Sequence, residues 1–160
     1  MNCSMHDTAL ESASIGEICR ISAGYPFRGA VDALSPGPVA VVQMRNVDAE
    51  TIDYESLTRV SLPTTRRPDF LQAGDVIFTT RGRRNSALAL KNVPGLAVCS
   101  PHFFVLRALE PASLMPEFLA WQINQKPAQE YLQQAATGSH ILNITRGAIE
   151  SLPVAIPPLE

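Results

Sequence analysis

The 160-residue sequence lacks several features that would place it in a specialised class of protein. Its three cysteines are too few for the dense disulfide framework of a small secreted domain, which agrees with a reducing compartment. No apolar run approaches the length that spans a membrane, and the first residues lack the charged-then-apolar pattern of a signal peptide. We therefore expect a cytoplasmic protein without a membrane partner.

The sequence is also poor in motifs of catalysis. Gly82 and Gly95 have neither the Lys-Ser/Thr pair of a phosphate-binding loop nor the spacing of a dinucleotide-binding loop. No Gly-x-Ser-x-Gly elbow occurs, and paired carboxylates with a nearby lysine, as in a metal-dependent nuclease, are not evident. The aromatic-proline tetrapeptide that holds a flipped base in DNA methyltransferases is missing too. These absences favour a binding protein without a catalytic centre or cofactor of its own.

Two Cys-x-x-His pairs are the pattern that most resembles a metal site. Cys3 with His6 and Cys99 with His102 would supply a Cys₂His₂ zinc site if the two pairs met in space. The first pair lies in a polar segment at the start of the chain, and the second lies where a strand is predicted to begin. Three cysteines and three histidines produce such pairs easily by coincidence, so we predict no metal ion.

Length and composition indicate one folded domain. Hydrophobic residues make up 46% of the sequence and charged residues 18%, which is typical of a globular protein with a core. Residues 1–12 are small and polar, and we expect them to be flexible, with a single domain over residues 13–160. Strand-like segments precede helix-like segments without βα alternation. This order predicts an α+β fold, with a mixed, largely antiparallel twisted sheet followed by short C-terminal helices.

Local patterns predict the strands of this fold. Ser14 and Glu17 have the spacing of a capping box at the start of a short helical turn. Apolar or β-branched runs bounded by turn residues indicate strands. The predicted strands are 18–21, 39–44, 60–62, 88–90, 96–99 and 103–107, and residues 71–78 are predicted to form a turn that leads into a buried strand.

Prolines and a threonine predict the helices of the C-terminal third. Pro127 should divide a helical region into two helices, near 116–124 and 127–136, because proline is tolerated only in a first turn. Gly138 is placed to end the second helix. Thr145 should cap one more short helix through residue 152, followed by an extended segment at 153–158.

Charge is unevenly distributed along the sequence, although the net charge is only −2. Residues 59–107 carry eight bases and two acids, whereas residues 1–58 and 108–160 are both acidic. Eleven of the thirteen bases are arginine, which suits forked hydrogen bonds to phosphate and guanine. A local basic face matters more for an anionic partner than net charge does. The middle block therefore indicates a polyanion, unless the fold scatters these charges over the surface.

The most basic segment directly follows a predicted strand. Its loop residues are Arg81, Gly82, Arg83, Arg84 and Asn85. A rigid strand that directs a cationic, hydrogen-bonding loop into solvent suits the binding of a polyanion. The alternative is a solvated hairpin tip without a ligand. A second turn-rich loop, residues 22–29, carries two aromatic residues that either contact a ligand or fold back on the core.

The order of several short segments resembles one target recognition domain of a type I restriction–modification DNA specificity subunit. The matching segments are Ile15-Gly16-Glu17-Ile18, 24–28, 41–47, 71–78, 116–119, 136–139, Asn143-Ile144 and 152–160. Each is short, but their order and spacing extend over about residues 15–160. The resemblance implies a domain similar to the DNA methylase specificity fold. Such a domain reads one half of a split site in double-stranded DNA and directs a methyltransferase to an adenine.

The resemblance also implies partners. Specificity subunits usually carry two recognition domains joined by long helices that dock the methylation subunits, whereas the segments here correspond to one domain, as in a half-size subunit. Implied partners are double-stranded DNA, methyltransferase and restriction subunits, and a second copy of the chain. A different class remains open, namely a non-catalytic interaction module or regulator derived from such a domain. Its working surface would be the acidic outer blocks and the apolar tail 154–159.

If DNA is the partner, phosphate contacts should be separable from base contacts. Phosphate contacts position a protein on a duplex, and base contacts read its sequence. The predicted phosphate-contacting residues are Arg59, Arg66, Arg67, Lys91, Ser139 and the turn that ends at His140. The predicted base-reading residues are Tyr25, Phe27, Arg28, Arg45, Asn46, Arg81, Arg83, Arg84 and Asn85.

Overall fold

The computed structural model describes residues 10–47, 51–65, 67–82, 84–136 and 142–157. The strands are β1 (Glu11–Ser14), β2 (Cys19–Ala23), β3 (Pro36–Val42), β4 (Thr58–Val60), β5 (Val76–Thr79), β6 (Arg81–Gly82), β7 (Ala87–Ala89), β8 (Ala97–Cys99), β9 (Phe103–Ala108), β10 (Leu142–Asn143) and β11 (Pro153–Ile156). The α-helices are α1 (Ile15–Ile18), α2 (Pro116–Asn124), α3 (Lys126–Ala135) and α4 (Arg146–Ser151). Short 3₁₀ helices span Val31–Ala33, Met44–Asn46, Tyr54–Ser56 and Pro111–Ser113. The predicted α+β class is confirmed.

The strands form two main sheets where the sequence predicted one mixed sheet. A four-stranded antiparallel sheet has the order β2-β9-β5-β7. A three-stranded sheet has the order β4-β3-β8, in which β8 runs parallel to β3. The turn at residues 100–102 separates β8 from β9 and sends the two strands into different sheets. Two further antiparallel pairs, β1 with β11 and β6 with β10, complete the described topology.

The four-stranded sheet is buried on both faces, which explains the continuous apolar run of β5. Val76 and Phe78 pack into a cluster with residues from α2, α3 and α4. Ile77, which points the other way, packs into a cluster shared with the three-stranded sheet. Alternate residues of a strand face opposite sides, so a strand covered on both sides must be apolar throughout. The core is therefore a layer of helices, the four-stranded sheet and the three-stranded sheet.

The helical predictions agree with the structure, including the short turn at α1, except for the capping box there. Two helices meet at residue 125, and Pro127 lies in the first turn of α3. Thr145 caps α4, because its Oγ1 accepts a hydrogen bond from the backbone N–H of Ala148 at 3.2 Å. The predicted capping box at α1 is wrong. The Ser14 hydroxyl instead donates to the Glu17 carboxylate at 3.0 Å, so that hydroxyl makes no bond to a helix amide.

Several predicted boundaries shift because of long-range pairing. The segment expected to be flexible ran through residue 12, but residues 11 and 12 belong to β1 and pair with β11. The strand predicted at 60–62 lies at 58–60, where it pairs with β3. The turn predicted before β5 is confirmed at residues 72–75, where the Gln72 N–H donates a hydrogen bond to Asp75. Gly138 lies outside the described residues. None of the described helices is long and apolar enough to cross a membrane.

Candidate nucleic-acid interface

The register of the strands brings three loops and a turn to one end of the two sheets. Thr79, the last residue of β5, lies opposite Phe103, the first residue of β9, and Ala23 at the end of β2 lies opposite Phe104. In the other sheet, the last residues of β3 and β8 are paired, Val42 with Cys99. We call this the loop end. It comprises residues 24–35, 43–46, 80–86 and 100–102.

The turn at residues 100–102 joins the loops through backbone hydrogen bonds. The Ser100 N–H donates to the Val42 carbonyl at 2.9 Å, and the Thr80 N–H donates to the His102 carbonyl at 2.9 Å. A Cβ on Gly24 would lie 1.9 Å from the Ser100 carbonyl oxygen, so only glycine fits this contact. The loop end is therefore one connected structure, built by both sheets.

Each of the three loops carries an exposed arginine. Arg28 follows β2, Arg45 follows β3, and Arg81 and Arg84 follow β5, and each of these four side chains is exposed. His102 is exposed as well. The described part of the loop end holds one carboxylate, that of Asp32. An excess of guanidinium groups on anchored loops suits the binding of phosphates and base edges.

The arginine loop, residues 80–86, is held at its base by Thr79. The Thr79 N–H donates to the Ser86 carbonyl at 3.0 Å, and the Ser86 N–H donates to Thr79 Oγ1 at 2.9 Å. The Asn85 side-chain amide donates to the Thr79 carbonyl at 3.0 Å. On the outer side, Arg81 and Gly82 form β6 and pair with β10. The loop therefore leaves a buried strand and is fixed from two directions.

The junction of α2 and α3 supports the same loop. Asn124 bonds both backbone polar groups of Ala87, with its Oδ1 accepting at 2.8 Å and its Nδ2 donating at 2.8 Å. Arg84 donates to the Asn124 carbonyl at 3.1 Å, and Gln129 donates to the Asn85 carbonyl at 2.7 Å. Sequence reasoning missed Asn124 and Gln129. No local pattern marks them, because their partners lie 37 to 44 residues away.

The Met44–Asn46 helix lies beside the arginine loop. Met44 Cε would be 3.5 Å from a Cβ on Gly82, so the two segments are neighbours. Arg45 forms an ion pair with Asp32 at 3.2 Å, and the two side chains are 60% and 61% exposed. The Asn46 side chain accepts from the Gln43 N–H at 2.9 Å, so its carbonyl oxygen caps the helix. A groove of about 450 Å³ separates this helix from Phe27 and His102.

The aromatic residues of the loop after β2 fold back on the core. Tyr25 and Phe27 are half-buried, with ring centroids 4.8 Å apart, and pack on the cluster that contains Val39 and Val41. The sequence left two alternatives for these rings, and the packing favours the one in which they fold back on the core. The rings hold the loop in place, and the exposed side chain beside them is Arg28.

The structure separates the other predicted site residues. Asn85 was predicted to read bases, but its side chain is 2% exposed and bonds Thr79, so it is part of the scaffold. Lys91 was predicted beside the arginines. It follows β7, whose end pairs with the start of β5, so Lys91 lies at the opposite end of the sheet. Arg59 is exposed on edge strand β4, and Arg67 is exposed on a groove beside Tyr25. Four predicted residues lie outside the described residues: Arg66, Arg83, Ser139 and His140.

Of the two Cys-x-x-His pairs, the structure describes only Cys99 and His102. Cys99 is buried, and burial raises the pKa of its thiol well above the usual range, with a smaller contribution from Asp75. His102 is exposed, and Cys3 and His6 lie outside the described residues. Within the part of the chain that the structure describes, no group of three or more potential metal ligands occurs.

A second groove lies at the opposite end of the four-stranded sheet. It is bordered by the segments that enter β2 and leave β9, and its volume is about 610 Å³. Its lining includes Glu11, Glu17, Glu110, Ile18, Leu109 and Leu114. Leu109 is 57% exposed. This acidic groove combines glutamates with apolar side chains, and no lysine or arginine lines its described walls.

The layered arrangement is similar to that of solved proteins from type I restriction–modification systems. The fold is shared with their DNA-specificity (S) subunits, at 14% to 20% sequence identity. The S subunit from M. genitalium matches 97% of this chain with a TM-score of 0.56 and 14% identity. The HsdS subunit from Thermoanaerobacter tengcongensis matches 96% with a TM-score of 0.66 and 20% identity.

A third structure, from work on complex assembly and conformational transition of the type I R-M system, matches 94% of the chain with a TM-score of 0.66 and 20% identity. The chain spans only 36% to 39% of the length of these proteins. No sequence-family model and no curated protein matches it. The likeness establishes the fold and agrees with the resemblance found in the sequence.

Proposed function

We propose that this chain binds double-stranded DNA in a sequence-specific manner, as a non-catalytic recognition domain of a type I restriction–modification specificity subunit. In that role it directs a methyltransferase and restriction complex to its target. The observation that supports this proposal is the loop end, where exposed arginines follow strands of both sheets on anchored loops. The shared fold with S subunits adds to it.

The side chains at the loop end divide into two roles. Arg81 and Arg84 extend from the arginine loop and are suited to forked hydrogen bonds with guanine in the major groove. Arg45 lies on the Met44–Asn46 helix beside that loop, and Arg28 lines a groove with Leu34, Ser61 and Leu62; in this proposal both contact bases or phosphates. Arg67 lies beside the loop after β2, and we assign it to phosphate contact. Arg83 and Arg66 belong to the same two segments in the sequence and take the same roles in this proposal.

Duplex binding by arginine-loop variants tests the proposal. We expect Arg81→Ala and Arg84→Ala each to lose about 1–3 kcal/mol for the preferred duplex and to relax one base position. Lys91→Ala is the matched control, because it removes one exposed cation at the opposite end of the sheet. A binding selection from a random duplex library, repeated at two salt concentrations, separates base reading from phosphate binding. Wild-type affinity and preference in the double variant Arg81→Ala/Arg84→Ala would contradict the proposal.

A second function, docking of a protein partner, is favoured by the acidic groove. We propose that this groove holds a basic amphipathic helix of a partner such as the methyltransferase subunit, because glutamates rim exposed apolar side chains there. The groove and the loop end lie at opposite ends of the four-stranded sheet, so DNA and this partner would not compete for one surface.

Charge reversal in the acidic groove tests this docking. We expect Glu17→Lys/Glu110→Lys to weaken a complex with the purified methyltransferase subunit in analytical ultracentrifugation, while duplex binding stays intact. If this double variant assembles with the methyltransferase subunit as the wild type does, the groove is not the docking surface. A loss of duplex binding instead would mean that this end of the sheet contacts DNA.

A further inference from the structure

Two side-chain amides on α2 make the same unusual contact with two different strands. Asn124 bonds the N–H and the carbonyl of Ala87 in β7, both at 2.8 Å. Gln122 bonds the N–H and the carbonyl of Ala155 in β11, at 2.7 and 2.8 Å. Both strands lie at the edge of their sheets, where backbone groups have no further strand to pair with. Each amide therefore completes one edge residue with a pair of hydrogen bonds.

Only the Asn124 contact continues into the arginine loop. Ala87 directly follows that loop, and the Asn124 carbonyl accepts a hydrogen bond from Arg84. One turn into α3, Gln129 donates to the Asn85 carbonyl and to the Ile123 carbonyl, both at 2.7 Å. The second half of the loop and the first residue of β7 are thus bonded to the α2–α3 junction at Arg84, Asn85 and Ala87.

The bond to Asn124 limits where the Arg84 guanidinium can lie. A guanidinium has five N–H donors, so one bond from Arg84 to Asn124 leaves the others for a ligand while reducing the side chain's freedom. A base-reading group must be held close to its bound geometry, because a looser group loses entropy on binding and accepts alternative bases. The α2–α3 junction therefore lies where it can hold the base-reading side chains in position.

We propose that Asn124 and Gln129 are positioning residues that set the base preference of the arginine loop without contacting DNA. This inference rests on the proposed DNA-reading function and deepens it. It assigns part of the sequence specificity to the α2–α3 junction.

The matched pair Asn124→Ala and Gln122→Ala provides the test. Both substitutions remove two hydrogen bonds of 2.7 to 2.8 Å from the same helix to an edge strand, so their effects on overall stability should be similar. Gln129→Ala removes the Asn85 contact while leaving the Asn124 contact in place, and it serves as the second variant if Asn124→Ala folds poorly.

The first measurement uses the folded chain without DNA. Trypsin cleaves after arginine, so cleavage at Arg81, Arg83 and Arg84 reports opening of the loop. We expect about tenfold faster cleavage there in Asn124→Ala, the change in an opening equilibrium from losing one to two net hydrogen bonds. Gln122→Ala should leave this cleavage at the wild-type rate. Equal acceleration in both variants would overturn the proposal, because it would indicate general destabilisation.

The second measurement is base preference in a selection from a random duplex library. Asn124→Ala and Gln129→Ala should flatten the positions that Arg81→Ala and Arg84→Ala flatten, whereas Gln122→Ala should keep the wild-type preference. The dependence of affinity on salt should stay unchanged in all three amide variants, because no phosphate contact is removed. A wild-type chain that binds no duplex overturns the proposed function. A wild-type chain that binds, with preference retained in Asn124→Ala and Gln129→Ala, overturns this inference alone.

Discussion

Arg107 and Asp75 form a forked ion pair where β9 passes the start of β5. Arg107 Nε lies 2.8 Å from Asp75 Oδ1, and Arg107 Nη2 lies 2.8 Å from Asp75 Oδ2. The hydrogen bonds to Asp75 raise the pKa of the Arg107 guanidinium above its already high value, with a smaller contribution from Asp69. Asp75 is 1% exposed and also accepts the Gln72 N–H, so the pair fixes the turn before β5. Arg107 belongs to the basic block of the sequence, but its charge is used inside the fold.

Separate substitutions of the two aspartates that bind Arg107 should lower the free energy of unfolding by different amounts. We expect Asp75→Ala to lower the free energy of unfolding by about 3–5 kcal/mol, because it leaves a largely buried guanidinium without its main acceptor. Asp69→Ala should cost less than about 1 kcal/mol, because Asp69 is 43% exposed in its ion pair with Arg107. Urea denaturation of both variants measures the difference. Equal losses would mean that the fork does not stabilise the turn.

The predictions that succeeded were those carried by local chemistry. The apolar run of β5 predicted a buried strand, and Pro127 predicted the break between α2 and α3. Thr145 predicted a helix start because a capping hydroxyl acts within three residues. The arginine loop and its hairpin were also visible, because one apolar strand leads into the loop and another returns from it.

The features missed from the sequence depend on contacts between distant residues. The sequence predicted Asn85 to read bases, but its side-chain amide is buried and bonds the Thr79 carbonyl, a partner that the sequence does not reveal. The division into two sheets depends on whether β8 pairs with β3 or with β9, and both have the same apolar pattern. Lys91 lies ten residues after Arg81, and only the hairpin register puts it at the other end.

The close approach of Gly24 to Ser100 predicts that one methyl group added at residue 24 destabilises the fold. Gly24→Ala would place a Cβ 1.9 Å from the Ser100 carbonyl oxygen and 2.6 Å from its carbon, so backbone must move. We expect a loss of about 1–3 kcal/mol of folding stability, as for overpacked sites. Gly147→Ala in α4 is the control, because nothing lies within 4 Å of its Cβ and alanine favours helix.

Thermal and urea denaturation of the two glycine variants would give the comparison. Gly147→Ala should be neutral or more stable than wild type, by up to about 1 kcal/mol. Because residue 24 begins the loop that holds Arg28, Gly24→Ala should also disturb duplex binding. Retained stability in Gly24→Ala would show that the contact between the loop and the 100–102 turn can relax.

Burial of the Cys19 thiol predicts a loss of stability at alkaline pH. Burial raises the pKa of Cys19 from 9.0 to about 11 in the folded chain. Below pH 9 the thiol is protonated in both states, and its contribution to stability is fully present. As the pH rises from 9 to 11, the unfolded chain releases this proton first, so the folded state loses stability.

The Cys19→Ala variant isolates this effect. Its free energy of unfolding should decline less between pH 9 and pH 11 than that of the wild type, although it starts lower because a buried side chain is shortened. Denaturation at pH 8, 9, 10 and 11 measures both curves. Parallel curves would show that the Cys19 thiol titrates alike in the folded and unfolded chain.

Asp32 is the carboxylate beside Arg45 at the loop end, and its removal should strengthen DNA binding. Asp32 accepts from Arg45 and from the Thr58 hydroxyl, both at 3.2 Å, and it is largely exposed. Asp32→Asn should therefore change folding stability by less than about 1 kcal/mol. It should raise the affinity for all duplexes alike, because it removes a negative charge near the phosphates and frees Arg45 to neutralise one.

The salt dependence of binding makes this last expectation specific. One additional phosphate contact should steepen the slope of log affinity against log salt concentration by about 0.9 in Asp32→Asn. Glu110→Gln in the acidic groove is the control, because it makes the same charge change at the opposite end of the sheet. If both variants gain affinity equally, net charge alone explains the gain, and the loop end is not the surface that meets DNA.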